Sequence, residues 1–172
     1  MAASTYKEDT LYERKLLNAT VSIHPKSLNT LDFDELIQRK LVEKIGKFCV
    51  SDGIVNTATI TILSRSLGAM YNHDNSSKIN YLIKYEADVC NPFEGQIVKC
   101  VVDEHTDTQT ICYIGDEETS PLEIYLSKQN YINNKEYANL KKGDKVLVRV
   151  VATNLETGRD KIDTIGEFLK RL

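Results

Sequence analysis

Apolar and polar residues alternate most regularly between Ile79 and Val89. Ile79, Tyr81, Ile83, Tyr85, Ala87 and Val89 fall on one parity and Asn80, Leu82, Lys84, Glu86 and Asp88 on the other. A period of two predicts a strand with one buried face. Pro92 has no amide donor and restricts Asn91, so the ladder is expected to stop there. Gly95 opens a further strand beside a tight bend. So short a joint, carried by Tyr85, Pro92, Phe93 and Gly95, is expected to hold two sheets in a nearly fixed relation.

The residues before this joint predict an α+β unit. Leu17, Ala19, Val21 and Ile23 give one face of a strand over 16–23, which His24-Pro25 ends. A helix follows. Asp32 can cap its start, with Glu35 three residues on, and Phe33, Leu36, Ile37, Leu41 and Ile45 form a stripe at three- and four-residue steps. Gly46 is the expected C-cap. Lys47 to Val50 reads as a short strand or loop tip, and Asp52-Gly53 as a turn. From Gly53 to Leu63 a single half-buried strand is expected, with Thr57, Thr59 and Thr61 on one face and Ala58, Ile60 and Ile62 on the other. Asn72 to Ser77 reads as a polar turn.

After the joint the pattern is almost wholly β. Strands are predicted over 95–102, 108–114, 122–127, 145–153 and 161–168, with Lys141-Lys142-Gly143-Asp144 as a turn. Five short strands separated by turn signals suit a small barrel. The expected organisation is a disordered N-terminal extension over 1–14, an α+β domain over 15–91 and a barrel domain over 92–172.

Composition narrows the classes. With 172 residues the chain suffices for one large or two small domains, burying about 70% of its unfolded surface. No apolar run approaches the roughly 20 residues of a membrane span, so no membrane partner is expected. Met1 to Arg14 lacks the apolar core of a secretory signal. Cys49, Cys90, Cys100 and Cys112 make no CxxC pair and read as small buried hydrophobes of an intracellular protein. A net charge of −3 argues against strong non-specific nucleic-acid binding, though not against a local basic face.

Catalytic chemistry is sparse. His24 precedes a proline, His73 lies in a polar turn, and His105 lies in Asp103-Glu104-His105-Thr106-Asp107, which reads either as a solvated hairpin tip or as a hydrolytic or metal site. No ligand pair has zinc spacing, and there is no Walker loop or GxGxxG. The chain is expected to be non-catalytic, without cofactor or metal. Two binding candidates stand out. Ile45, Gly46, Lys47 and Phe48 read either as a helix end with a buried aromatic or as an apolar-cationic wedge that fills a pocket in a larger assembly. On the barrel, Tyr113, Tyr125 and Tyr131 with Lys128, Lys145 and Arg149 could serve single-stranded RNA, a stacked base contributing about 1–3 kcal/mol. They could equally be core tyrosines and solubilising cations, since only one face of each strand points outward. The acidic run Asp116-Glu117-Glu118 opposes phosphate wherever it lies near that face, so RNA binding is expected to be weak and salt-sensitive.

Several local stretches occur together in one order. They are Val21-Ser22-Ile23-His24-Pro25, Gly46-Lys47-Phe48, Ile83-Lys84-Tyr85-Glu86-Ala87 with Asn91-Pro92-Phe93-Glu94-Gly95-Gln96-Ile97-Val98, and Asp163-Thr164-Ile165-Gly166. From about Leu16 to Leu172 the chain resembles the seventh-subunit, or stalk, family of multisubunit DNA-directed RNA polymerases, the joint being the specific part. Two positions depart from the family pattern. Cys49 stands where a glycine usually follows the Gly-Lys-aromatic triplet, and Thr110-Ile111-Cys112-Tyr113 lacks the usual Gly-aromatic pair. The resemblance implies an N-terminal truncated RNP-like tip domain followed by a C-terminal OB barrel of the S1 type. It implies a non-catalytic subunit that docks on the polymerase core by its tip and supports initiation, clamp closure and guidance of nascent RNA. Implied partners are core polymerase subunits, the family's smaller stalk subunit and, weakly, nascent RNA. The implied location is with the transcription machinery: the nucleus of a cell, or the cytoplasmic factory or virion of a virus. Lysine (16) far outnumbers arginine (6), a usage expected of an AT-rich genome such as those of large DNA viruses that encode polymerase subunits. A free-standing S1-type RNA-binding factor of translation or RNA decay is the alternative.

Overall fold

A computed structural model describes residues 10–29, 32–46, 49–70 and 77–172. Lys47 and Phe48, and residues 72–76 of the expected polar turn with His73 among them, lie outside the described residues. Two units are distinguished. One comprises Cys90–Leu172 with Cys49–Ile54 and the stretch up to Tyr12; the other comprises Glu13–Phe48 and Val55–Val89. No helix among the described residues is long and apolar enough to cross a membrane.

In the α+β unit, strand β1 (Tyr12–Ile23) begins ahead of the expected Leu16. Tyr12 to Arg14 are therefore strand and not part of an N-terminal extension. Arg14 accounts for the added length: its guanidinium donates to the Thr59 carbonyl at 2.9 Å and to Thr61 Oγ1 at 3.1 Å, and pairs with Asp88 at 3.4 Å. Leu17, Val21 and Ile23 are buried on the inward parity. Helix α1 (Phe33–Ile45) starts where Asp32 accepts the Asp34 amide at 2.9 Å. It buries Leu36, Ile37, Leu41 and Ile45, and ends at Gly46, whose amide donates to the Val42 carbonyl at 2.8 Å with φ 57°.

The stretch expected as one strand from Gly53 to Leu63 is three pieces. Strand β2 (Cys49–Val50) and strand β3 (Gly53–Val55) make a hairpin through the Asp52-Gly53 turn. A 3-10 turn then occupies Thr57–Thr59, and strand β4 (Thr61–Arg65) follows. Asn56 causes the break: its side chain accepts the Ala58 amide at 3.1 Å, giving the backbone a local alternative to the ladder. Strand β5 (Ile79–Cys90) buries Ile83, Tyr85, Ala87 and Val89 as its alternation predicts. β4 runs antiparallel to β5 with a bulge between Ile62 and Ser64. The extra residue, Leu63, reverses the parity beyond it. Arg65 is consequently paired with Ile83, lies 4.5 Å from the Phe33 ring centroid and forms an ion pair with Asp34.

The other unit is built on a closed five-stranded barrel. Its strands are β6 (Ile97–His105), β7 (Gln109–Tyr113), β8 (Leu122–Ser127), β9 (Lys145–Asn154) and β10 (Ile162–Arg171). The order around the barrel is β10-β8-β7-β6-β9, closing back on β10. All neighbours are antiparallel except β8 and β10, which are parallel. The barrel is compatible with an OB-like fold. Cys100, Val102, Cys112, Leu122, Ile124, Leu126, Val146, Val148 and Val150 point inward. Gly166 lets β10 pass close to this core, since a Cβ there would overlap Val148 Cγ1. Between β8 and β9 lie a 3-10 turn (Lys128–Tyr131) and the short helix α2 (Lys135–Ala138). The helix inserts Tyr137, which is 0% exposed, under the barrel end.

The four cysteines are free and buried. Burial, with Cys49 nearby, pushes the Cys90 thiol up to about 12. A hydrogen bond with Cys112, together with burial, holds the Cys100 thiol well above its ordinary value. Such thiols carry little thiolate and pack as apolar side chains.

Candidate interaction face on the barrel

Cross-strand register decides which residues share the outer wall, because directly opposed residues point to the same face. Tyr113 on β7 opposes Glu123 on β8, which opposes Asp163 on β10. One step along, Ile111 opposes Tyr125, which opposes Ile165. These six residues carry the opposite parity to the inward Cys112, Ile124 and Thr164. They form two adjacent rows on the outside of β7, β8 and β10.

Glu123 organises the face. Tyr113 donates its phenol to Glu123 Oε1 at 3.1 Å. Burial and then the Glu123 bond hold the Tyr113 phenol above its ordinary value, with Glu117 and Asp103 adding to the effect. Burial, followed by Glu123 and Asp163, pushes Tyr125 up to about 12, with Arg159 opposing. The acidic loop at 116–118 therefore acts on this face through Glu117. Cations reach it from the loop before β10: Lys161 Nζ sits 4.3 Å from the Tyr113 ring centroid, and Arg159 pairs with Asp163 and with Glu156. Ile165 is 56% exposed at the end of its row.

The tyrosine shifts fix a pH dependence. A phenol whose folded pKa is raised stabilises the fold fully below its ordinary value near 10, and that contribution is lost as pH rises toward 12. Tyr125 should therefore ionise near pH 12 in a spectrophotometric tyrosinate titration. Glu123→Gln should move that ionisation to lower pH. Ionisation of Tyr125 at its ordinary value in the unmodified chain would contradict the assigned role of Glu123.

The other barrel candidates lie elsewhere. Tyr131 stacks on Tyr137 with centroids 4.5 Å apart, and its hydroxyl accepts the Phe168 amide at 2.7 Å, so it closes the barrel end. Arg149 on β9 pairs with Glu167 at 2.8 Å and Lys128 with Asp107 at 3.4 Å. Lys145 is exposed at the start of β9. Of the six, only Tyr113 and Tyr125 are brought together. Glu123 and Lys161, which with Asp163 complete the arrangement, carried no motif. The parity of Leu122, Ile124 and Leu126 was the available signal that Glu123 and Tyr125 share an outward face.

Of the tip residues, Ile45 is buried and Gly46 caps α1. Among the joint residues, Tyr85 and Pro92 are buried and Phe93 is 62% exposed. Gly95 has φ 88°, and its amide donates to the Val150 carbonyl at 2.8 Å. His105 belongs to a chain of hydrogen bonds. Its Nδ1 lies 2.7 Å from Thr110 Oγ1, which donates to the Tyr137 hydroxyl at 2.8 Å, which in turn donates to the Leu126 carbonyl at 2.9 Å. That direction makes Nδ1 the protonated nitrogen, a supporting role for the buried helix. Among the described residues no group of three or more His, Cys, Asp or Glu side chains could hold a metal ion.

No protein-family model matches the chain, and no curated protein matches it in sequence.

Proposed function

We propose that this chain is a non-catalytic stalk subunit of a multisubunit DNA-directed RNA polymerase. The observation that carries the reading is the OB-like strand order of the barrel, with β8 and β10 parallel, entered directly from the Pro92-Phe93-Glu94-Gly95-Gln96-Ile97-Val98 segment. The Gly95 amide bond to Val150 ties that segment to the barrel wall. In this reading the preceding unit is the truncated RNP-like tip domain and the barrel is of the S1 type. Ile45, Gly46, Lys47 and Phe48 dock on the polymerase core, and the subunit supports initiation and clamp closure. The carboxylates around Tyr113 and Tyr125 make RNA guidance a weak activity of this barrel.

The test is affinity capture of the tagged full chain from native extract. Recovery of the two largest polymerase subunits is expected, and Phe48→Ala should reduce it while the chain stays folded. A chain that binds RNA alone and does not co-fractionate with polymerase would instead be the free-standing RNA-binding factor.

A further inference from the structure

From the outer face of β7, β8 and β10 we infer a docking site for a basic, partly apolar peptide segment of a partner protein. The inference rests on the barrel alone and stands apart from the polymerase reading.

The face combines three properties. Tyr125 supplies half-exposed ring surface, and Tyr113 lies buried beside it under Lys161. Glu123, with Glu117 close by, supplies negative charge, and Asp163 and Asp103 add to it although Arg159 and Lys142 pair with them. Ile111 and Ile165 flank Tyr125 at the two ends of its row and supply apolar surface, Ile165 being 56% exposed. A carboxylate beside an aromatic face attracts a cation through both the ring quadrupole and Coulomb force. The chain already shows this chemistry with its own side chains, in Lys161 over Tyr113 and Arg159 on Asp163. Phosphate finds no such complement here, because Lys161, Arg159 and Lys142 are all engaged and the hydroxyl of Tyr113 points at a carboxylate. Lysine or arginine from a partner would seat near Glu123 and Tyr125, with a neighbouring aliphatic residue against Ile165. Lys161, over the neighbouring Tyr113 ring, competes with that cation for the same negative charge.

That competition gives the test an opposite sign for each ligand class. The probes are a fluorescent peptide alternating lysine or arginine with leucine, an acidic peptide of equal length and an oligouridylate, each titrated by anisotropy against the full chain. The basic peptide should bind saturably and tighter than either control. Glu123→Gln should weaken it about five- to tenfold, the size expected for one charged or cation–π contact, and should strengthen the oligouridylate. Lys161→Ala should strengthen the basic peptide and weaken the oligouridylate. Absence of saturable peptide binding by the unmodified chain, weaker peptide binding by Lys161→Ala, or preference for the oligouridylate would overturn the inference. The last outcome would reassign the face to RNA.

Discussion

Replacing Tyr137 with alanine should destabilise the barrel unit by about 3–5 kcal/mol, as for other large aromatics removed from cores. Tyr137 is fully buried and packs against three rings: Tyr131 at 4.5 Å, His105 at 5.5 Å and Phe168 at 5.6 Å between centroids. Its hydroxyl joins the Thr110 hydroxyl to the Leu126 carbonyl. Truncation thus leaves a cavity and removes one hydrogen bond from each of these polar groups, the Thr110 hydroxyl keeping His105. Tyr137→Phe separates the two contributions. It keeps the ring and removes only the bridge, and should cost about 1–3 kcal/mol. Urea unfolding of both variants checks the ordering. Equal midpoints for Tyr137→Phe and the unmodified chain would show that the bridge contributes nothing.

Gly53→Ala should cost a similar amount by another route. Gly53 has φ 125°, a conformation costly for any side chain, at about 1–3 kcal/mol. A Cβ there would also overlap the Cys90 carbonyl oxygen. That atom is backbone of β5, so no rotamer change relieves the overlap, which adds about 1–3 kcal/mol of overpacking. Gly166→Ala is the instructive comparison. Its Cβ would meet only side chains, Val148 foremost, and its backbone is not left-handed. Thermal melts should therefore rank Gly53→Ala below Gly166→Ala, and the reverse order would refute the strain assigned to Gly53.

These two positions also show what was legible in the sequence. Helix α1 and strands β5 and β8 were readable because one periodicity and one set of end signals agreed in each. Asp32, the Leu36 to Ile45 stripe and Gly46 define the helix, and Leu122, Ile124 and Leu126 define β8. The strand expected over 53–63 failed because alternating threonines look the same in a strand and in a 3-10 turn; only the Asn56 side chain distinguishes them. Tyr137 was invisible because α2 spans four residues in a polar stretch, too short for any periodicity. The face was half legible. Tyr113 and Tyr125 were identifiable as strand tyrosines, but their joint dependence on Glu123 arises from the pairing of β7 with β8. Tyr131, which the sequence left open between a base-stacking group and a core tyrosine, is of the second kind and seals the barrel.

The parallel match of β10 with β8 has a consequence for synthesis. β8 ends at Ser127, yet the residues that cover its second edge are complete only when Ile165 has been made. At a ribosomal rate of about 5–20 residues per second that interval is roughly 2–8 s. Throughout it the Leu122–Ser127 segment keeps one edge of bare amides and carbonyls beside side chains destined for the interior. Newly made chains in that window are the form that chaperones would have to shield.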